Sequence, residues 1–417
     1  MADKKAPGAP LHPETLMMSH GYDPFLSEGA VKPPVFLTST FAFRTAEDGA
    51  NFFDALRAAD SDASGLIYSR FNHPNLQIAE ERLAVYEQGE TAAVFSSGMS
   101  AIATTLLALV QSGETIVRSQ PLYGGTETLI TNVLAKQGIN THGFVDGLSE
   151  ENLREAAAKA MQDSLISLIF LETPSNPTNT LIDFEMVSKI AGEIEQQQNQ
   201  RPIIVCDNTL LGPIFQSPLN HGVDLVLYSL TKYIGGHSDL VAGAAVGSKE
   251  LIDKVRAARS AFGTQLDPHS SWMIGRSLET VSLRMQRAND SAIEIAKFLS
   301  DHPKIAKLHH PLFAEQANYQ AVFEKQCAGP GSTFSFDVVG GREKAFNFLN
   351  QLNIFKLAVS LGGTESLVCH PRSTTHSSVP ASLLDQLEIS EALVRTSIGL
   401  EHPEDLIADL SQALAAL

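Results

Sequence analysis

The chain has 417 residues, 43% of them hydrophobic and 18% charged, with a formal net charge of −17. That length and balance fit two or three folded units with a large core, not a disordered chain. The acidic balance argues against nucleic acid or an acidic membrane surface as the main partner.

The opening MADKKAPGAP has lysines with no apolar run behind them, unlike a secretory signal. Residues 1–75 are rich in proline, glycine and aromatics and show little periodicity, which predicts an extended arm. From residue 76 to 272, strands and helices are predicted to alternate. The apolar β-prone runs are Ala92–Phe95, Thr115–Val117, Leu165–Leu171, Ile203–Cys206 and Leu225–Tyr228, with helical segments such as Ser100–Leu109 and Glu150–Met161 between them. Thr91–Val110 is free of charge over about the length of a membrane span. Its Ser96, Ser97, Gly98, Ser100, Thr104 and Thr105 fit a strand, a glycine turn and a buried helix better. Alternation of this kind predicts an α/β fold with a mainly parallel central sheet and helices on both faces. Ligands in such sheets sit at the carboxyl ends of the strands.

Ile274, Leu278, Val281, Met285, Ala288, Ala292, Ile295 and Leu299 recur at spacings of three and four, which predicts one long helix joining two domains. Residues 273–417 then form a smaller α/β domain, with strands at Thr333–Val339, Lys356–Ser360 and Val394–Ser397 and a last helix at Pro403–Ala416. The three cysteines, Cys206, Cys327 and Cys369, form no CxxC pair. Neither a zinc cluster nor a disulfide framework is expected, and a cytoplasmic location suits the chain.

Five features carry chemistry. Lys232 follows a predicted buried strand within SLTKYIGGHSD. It reads either as a paired surface lysine or as a Schiff-base lysine for an aldehyde cofactor, with Ser229 and Thr231 beside a phosphate. Asp207 ends the strand IIVCD. It can cap a helix, as can Asn208 and Thr209, or it can keep a pyridine nitrogen protonated. Ser97-Gly98-Met99 lies at a strand-to-helix turn, where free N–H groups suit a phosphate and an ordinary tight turn is the alternative. Tyr123 precedes Gly124-Gly125 and is either a surface loop aromatic or a residue that stacks on a flat ring. Arg395 stands alone among apolar residues in LVRTSIG, for a structural ion pair or for a substrate carboxylate.

The order of these features, with YSRFNHP (Tyr68–Pro74), SSGMSA, LYGGT, ETPSNPT (Glu172–Thr178), CDNT, SLGGTESL (Ser360–Leu367), HPRSTTHS and LVRTSIGLEHPEDL, resembles the cysteine and methionine metabolism family of pyridoxal-phosphate enzymes from about Pro33 to the C-terminus. That family includes cystathionine γ-synthases, cystathionine γ-lyases, methionine γ-lyases and O-acylhomoserine sulfhydrylases. The resemblance implies the fold-type-I architecture and pyridoxal 5'-phosphate as cofactor. It implies that Lys232 holds the cofactor covalently, Asp207 pairs with its ring nitrogen and Tyr123 stacks on the ring. Gly98, Met99, Ser229 and Thr231 would bind the phosphate, with Thr209 also at the cofactor and Asn176 near its phenolic oxygen. Tyr68 and Arg70 would reach the phosphate of a neighbouring subunit, in a dimer of active sites within a homotetramer. Ser360 and Arg395 would hold the substrate's α-carboxylate. The implied reaction is γ-elimination or γ-replacement on an L-amino acid with a heteroatom at Cγ. A γ-lyase is favoured over a synthase that adds a thiol to an activated homoserine, and a non-catalytic binding protein is the weakest reading.

The chain also departs from its relatives. Gly125 stands where methionine γ-lyases carry a cysteine, and Thr128 stands where some synthases carry an arginine. Glu127 and Glu365, with Asp267 as a further acid, raise the expectation of a leaving-group pocket suited to a neutral or cationic tail. His73 and Arg372 replace the residues usual in the family, and no role follows for either. His237 and His376 are read as structural, and no metal is expected.

Overall fold

In the computed structural model, which describes residues 10–57, 65–377 and 379–417, the apolar runs become the strands of a layered α/β architecture. Among the described residues, the larger sheet contains β1 (Thr91–Phe95), β2 (Thr115–Ser119), β3 (Asn140–Phe144), β4 (Ile166–Glu172), β5 (Ile203–Asp207), β6 (Leu225–Ser229) and β7 (Gly243–Gly247). Their order is β1-β7-β6-β5-β4-β2-β3. The pairs from β3 to β6 are parallel, and β7 runs antiparallel to both β1 and β6. Along β4, Ile169 and Leu171 join the core on one face, whereas Leu168 and Phe170 join the core on the other. Two covered faces are the reason these strands read as unbroken apolar runs.

The runs expected from sequence all became strands of this sheet, and β3 and β7 were not foreseen. Strand β3 is an edge strand, NTHGF, mostly half-buried and without apolar alternation. Strand β7 is GAAVG, too small to read as β-prone. Its smallness has a cause: a Cβ on Gly243 would lie 2.3 Å from the carbonyl oxygen of Ser97. Strand β7 therefore lets the β1-to-helix turn sit close against the sheet. The helix Gly98–Leu109 starts there, with Ser97 and Ser100 capping each other's backbone N–H groups.

The predicted long helix is two helices, Pro268–Leu278 and Val281–Ser300. Thr280 leaves helical geometry, and Glu279 beside it pairs with Lys32 at 2.7 Å and Arg82 at 3.4 Å. The apolar spacing runs through the break, so periodicity could not reveal it. The stripe still links two cores: Ile274, Leu278, Val281 and Met285 belong to the large one, and Ala292, Ile295 and Leu299 to the small one.

The smaller sheet contains β8 (Ile305–His309), β9 (Thr333–Val338), β10 (Lys356–Leu357), β11 (Leu367–Cys369) and β12 (Leu393–Ser397), in the order β10-β11-β12-β9-β8. Strand β10 is shorter than predicted, and the carbonyls of Val359 and Ser360 beyond it accept hydrogen bonds from Arg395 at 2.8 and 2.9 Å. The described part of the arm holds short helices at Pro13–Leu16 and Pro24–Leu26, a longer one at Ala46–Arg57, and the exposed side chains of Phe25, Leu26, Val31 and Leu37. It is tied down where Asn75 bonds Phe36 and Pro34, and where the Trp272 indole donates to Pro33. Among the described residues, no helix is long and apolar enough to cross a membrane, and no group of three metal-ligating side chains is placed to hold an ion.

Candidate active site

The carboxyl ends of β4, β5 and β6 open onto a cavity of about 230 Å³. Its lining includes Gly98 and Met99 from the first helical turn after β1, Tyr123, Glu172, Asn176, Asp207 and Thr209. Ser229, Thr231 and Lys232 line it from beyond β6, and Val359, Leu361 and Arg395 from the small domain. The predicted cofactor residues around the larger sheet thus converge on one volume, and Arg395 closes it from β12 of the smaller sheet.

The lysine sits at the centre of the electrostatics. Lys232 Nζ donates to Ser360 Oγ at 3.1 Å. Burial pushes its pKa down to about 8, and Arg395 pushes the same way, against the pull of Asp207. At pH 7 roughly a tenth of such amines are neutral, compared with a few in ten thousand for an ordinary lysine. Asp207 is buried, and one carboxylate oxygen accepts from Thr209 N at 3.1 Å and from Thr209 Oγ1 at 2.5 Å. Burial raises its pKa, opposed by those Thr209 bonds and by Lys232. Thr209 Oγ1 also accepts from Ser229 N at 2.9 Å, so the two strand ends are held together.

Arg395 is 2% exposed and enters from β12. Nη1 donates to Asn176 Oδ1 at 3.3 Å and Nη2 to the Val359 and Ser360 carbonyls, while Nε is buried without a partner among the described residues. A structural ion pair was the competing reading of this arginine, and its hydrogen bonds all go to neutral acceptors.

Glu172 stands within a sequence motif that gave it no role of its own. It ends β4 in register with Asp207, which ends β5. Its carboxyl accepts from Tyr123 N at 2.6 Å and from Asn176 N at 3.1 Å. The available signal was a carboxylate closing an otherwise apolar strand, level with Asp207.

The sequence of residues 14–415 matches the Cys/Met metabolism PLP-dependent enzyme family. The chain belongs to this family. It is 38% identical to an L-methionine gamma-lyase of Pseudomonas deceptionensis over 405 residues, covering 97% of each chain. It is 36% identical to a cystathionine gamma-lyase of Bacillus subtilis over 402 residues, covering 96% of this chain and 98% of the other. The solved structure of a cystathionine gamma synthase from Xanthomonas oryzae pv. oryzae in complex with cystathionine superposes with a TM-score of 0.87 at 32% identity, covering 98% of each. As a family member the protein is a pyridoxal-phosphate-dependent enzyme of the γ-lyase and γ-synthase class.

The residues fit that cofactor. A buried carboxylate and an amine line one cavity with the helix start at Gly98, where backbone N–H groups and the Ser229 and Thr231 hydroxyls suit a phosphate. A Cβ on Gly98 would lie 3.0 Å from Ser229 Cβ, so the glycine keeps the cradle open.

Other predicted residues lie outside this cavity. Glu127 forms a two-point ion pair with Arg118, at 2.6 and 3.1 Å. Glu365 accepts hydrogen bonds from Ser238 and Thr364. Asp267 caps the helix Pro268–Leu278. Tyr68 is 42% exposed, and Arg70 reaches the Ser260 carbonyl with its guanidinium 4.5 Å from the Phe71 ring centre. Two departures acquire roles. His73 caps the helix Pro74–Glu87 through Leu76 N and bonds the Leu266 carbonyl at 3.0 Å. Arg372 pairs with Asp385 and Glu391 and bonds the Ile389 carbonyl.

Proposed function

We propose that this enzyme is a γ-lyase acting on an L-amino acid with an uncharged thioether tail, methionine being the simplest example. The observation that carries this reading is the lining of the cavity. Among the described residues that line it, the cations are Lys232 and Arg395 alone, and the lining also carries Met99, Leu361 and two exposed valines, Val241 (59%) and Val359 (57%). An acidic leaving group, as on a succinylated homoserine, would meet no further positive charge from this chain's own lining. A cationic tail would meet neither Glu127 nor Glu365, both of which are held elsewhere. The L-methionine gamma-lyase names among the relatives point the same way.

In this reading Arg395 and Ser360 hold the α-carboxylate, and Nε of Arg395 gains a partner. When bound, pyridoxal phosphate delocalises the electron pair left as a proton departs from Cα, provided its ring nitrogen stays protonated. Asp207 is placed to maintain that protonation. Lys232 Nζ, depressed to about 8, can accept the Cα proton near neutral pH, and once it has released that proton to solvent it can take a second one from Cβ. Tyr123, which lines the cavity, would donate a proton to the departing sulfur.

Tyr68 and Arg70, outside the cavity of their own chain, would reach the phosphate of a neighbouring copy, with a homotetramer as the assembly. Cytoplasmic location fits the three free cysteines. The experiment is a substrate panel of methionine, homocysteine, cystathionine, canavanine and O-acylhomoserines, each with and without added thiol. Release of 2-oxobutyrate, ammonia and a thiol from methionine is expected. Turnover of O-acylhomoserines to thioethers, with methionine inert, would replace the lyase reading with the synthase one.

A further inference from the structure

Glu172 is a buried acid that the proton transfers above do not use. It lies at the carboxyl end of β4, opposite Asp207, and lines the same cavity. Its two oxygens take two backbone N–H groups from different segments: Tyr123 at 2.6 Å and Asn176 at 3.1 Å. Tyr123 is the aromatic wall of the cavity. Asn176 is the side chain that receives Arg395 Nη1 at 3.3 Å. The Glu172 backbone is itself fixed, its N–H donating to Ser119 Oγ at 3.1 Å. One carboxyl group therefore spans the stacking aromatic on one side and the carboxylate-binding pair on the other.

We propose that Glu172 is a positioning residue of the active site: it sets the Tyr123 ring against the cofactor and, through Asn176, the reach of Arg395 to the substrate. A neutral amide or an apolar residue at this position would leave one or both of those N–H groups without an acceptor. The chain instead holds a second carboxyl group beside Asp207, where burial and the Asp207 charge push its pKa up to about 8, against the two N–H donors. The other charges facing it are Glu127, and then Lys232 and Arg395 across the cavity. A carboxyl kept there at such a cost is placed for its reach, since its two oxygens diverge to two amides at once.

The inference deepens the proposed function and rests on it for the substrate half alone; the cofactor half stands without it. The test compares Glu172→Gln, Glu172→Asp and Glu172→Ala as purified proteins. The first readout is the dissociation constant of pyridoxal phosphate from the apo chain, followed by absorbance. The second is KM and kcat for methionine, and the third is Tm. Loss of one such carboxylate–amide bond, leaving a buried N–H without an acceptor, corresponds to roughly a tenfold to hundredfold change. Glu172→Ala and Glu172→Asp, which cannot reach both amides, should weaken cofactor binding about tenfold or more and raise KM. Glu172→Gln keeps the length but only one acceptor, with its amide NH2 turned to the second N–H, and should fall between wild type and Glu172→Ala on both readouts.

Wild-type cofactor affinity and KM in Glu172→Ala would overturn the proposal, as would a lowered Tm with both unchanged. Should the alanine variant fail to fold, the same two measurements on Glu172→Asp decide the question. If methionine proves not to be a substrate, the cofactor dissociation constants still decide it, so the two ideas fail separately.

Discussion

Replacing Arg395 by lysine separates the shape of the guanidinium from its charge. Arg395 is 2% exposed and engages three neutral oxygens, of Asn176, Val359 and Ser360, at 2.8 to 3.3 Å. Its Nε is the donor left over. A lysine keeps the positive charge but offers one ammonium point, which cannot hold those carbonyls and a carboxylate in one plane. The expected loss is one charge-assisted hydrogen bond, about 2 to 3 kcal/mol, or roughly 30- to 160-fold in kcat/KM. The carboxylate contact exists before the reaction as well as during it, so the loss should fall mainly on KM, with kcat within about threefold. The assay is the initial rate of 2-oxobutyrate release against methionine concentration, with cofactor absorbance measured to verify loading. An unchanged KM, or a loss carried wholly by kcat, would refute the assignment of Arg395 to the carboxylate.

Three further outcomes are expected. The rate at which the apo chain captures pyridoxal phosphate should rise with pH and level off near 8, because only the neutral Lys232 amine attacks the aldehyde; a plateau near the ordinary lysine value of about 10 would contradict the depressed lysine. Glu365→Ala should change kcat/KM for methionine, cystathionine and canavanine alike and by less than about threefold, since Glu365 bonds Ser238 outside the cavity; a selective loss on the cation-bearing substrates would restore an acid-lined pocket. Glu80 accepts from Arg259 at 2.5 Å and Arg256 at 3.0 Å, so Glu80→Gln should cost about 3 to 5 kcal/mol in denaturant unfolding by leaving Arg259 buried and uncompensated. Burial opposes the Glu80 charge but the two arginines outweigh it and lower its pKa. The stabilisation from Glu80 is therefore present above its ordinary value of 4.5 and is lost as pH falls through the depressed one; equal stability of wild type and Glu80→Gln at pH 7 would count against it.

Much of the fold was legible from residue pattern. The parallel strands announced themselves because both faces of β4, β5 and β6 are covered, and the helix after Ser97 because its cap is local chemistry. Strand β7 was hidden because its residues are chosen for the 2.3 Å approach at Gly243, not for β propensity. The break at Thr280 was hidden because the apolar spacing continues across it. Lys232, Asp207, Tyr123, Gly98 and Arg395 could be named as candidates from sequence because each falls in a family motif at a set place in the order.

By itself the sequence determined the family and its cofactor, and singled out those five residues as candidates, since short motifs in a fixed order survive without coordinates. Only the tertiary structure decided what each acid does. Residue pattern singles out Glu127 and Glu365 for the leaving-group pocket and passes over Glu172. Arg118 neutralises the first, Ser238 and Thr364 hold the second, and the third alone lies beside Asp207 in the cavity. The partner of a charge is set by strands and helices far apart in the chain, and no local pattern records it.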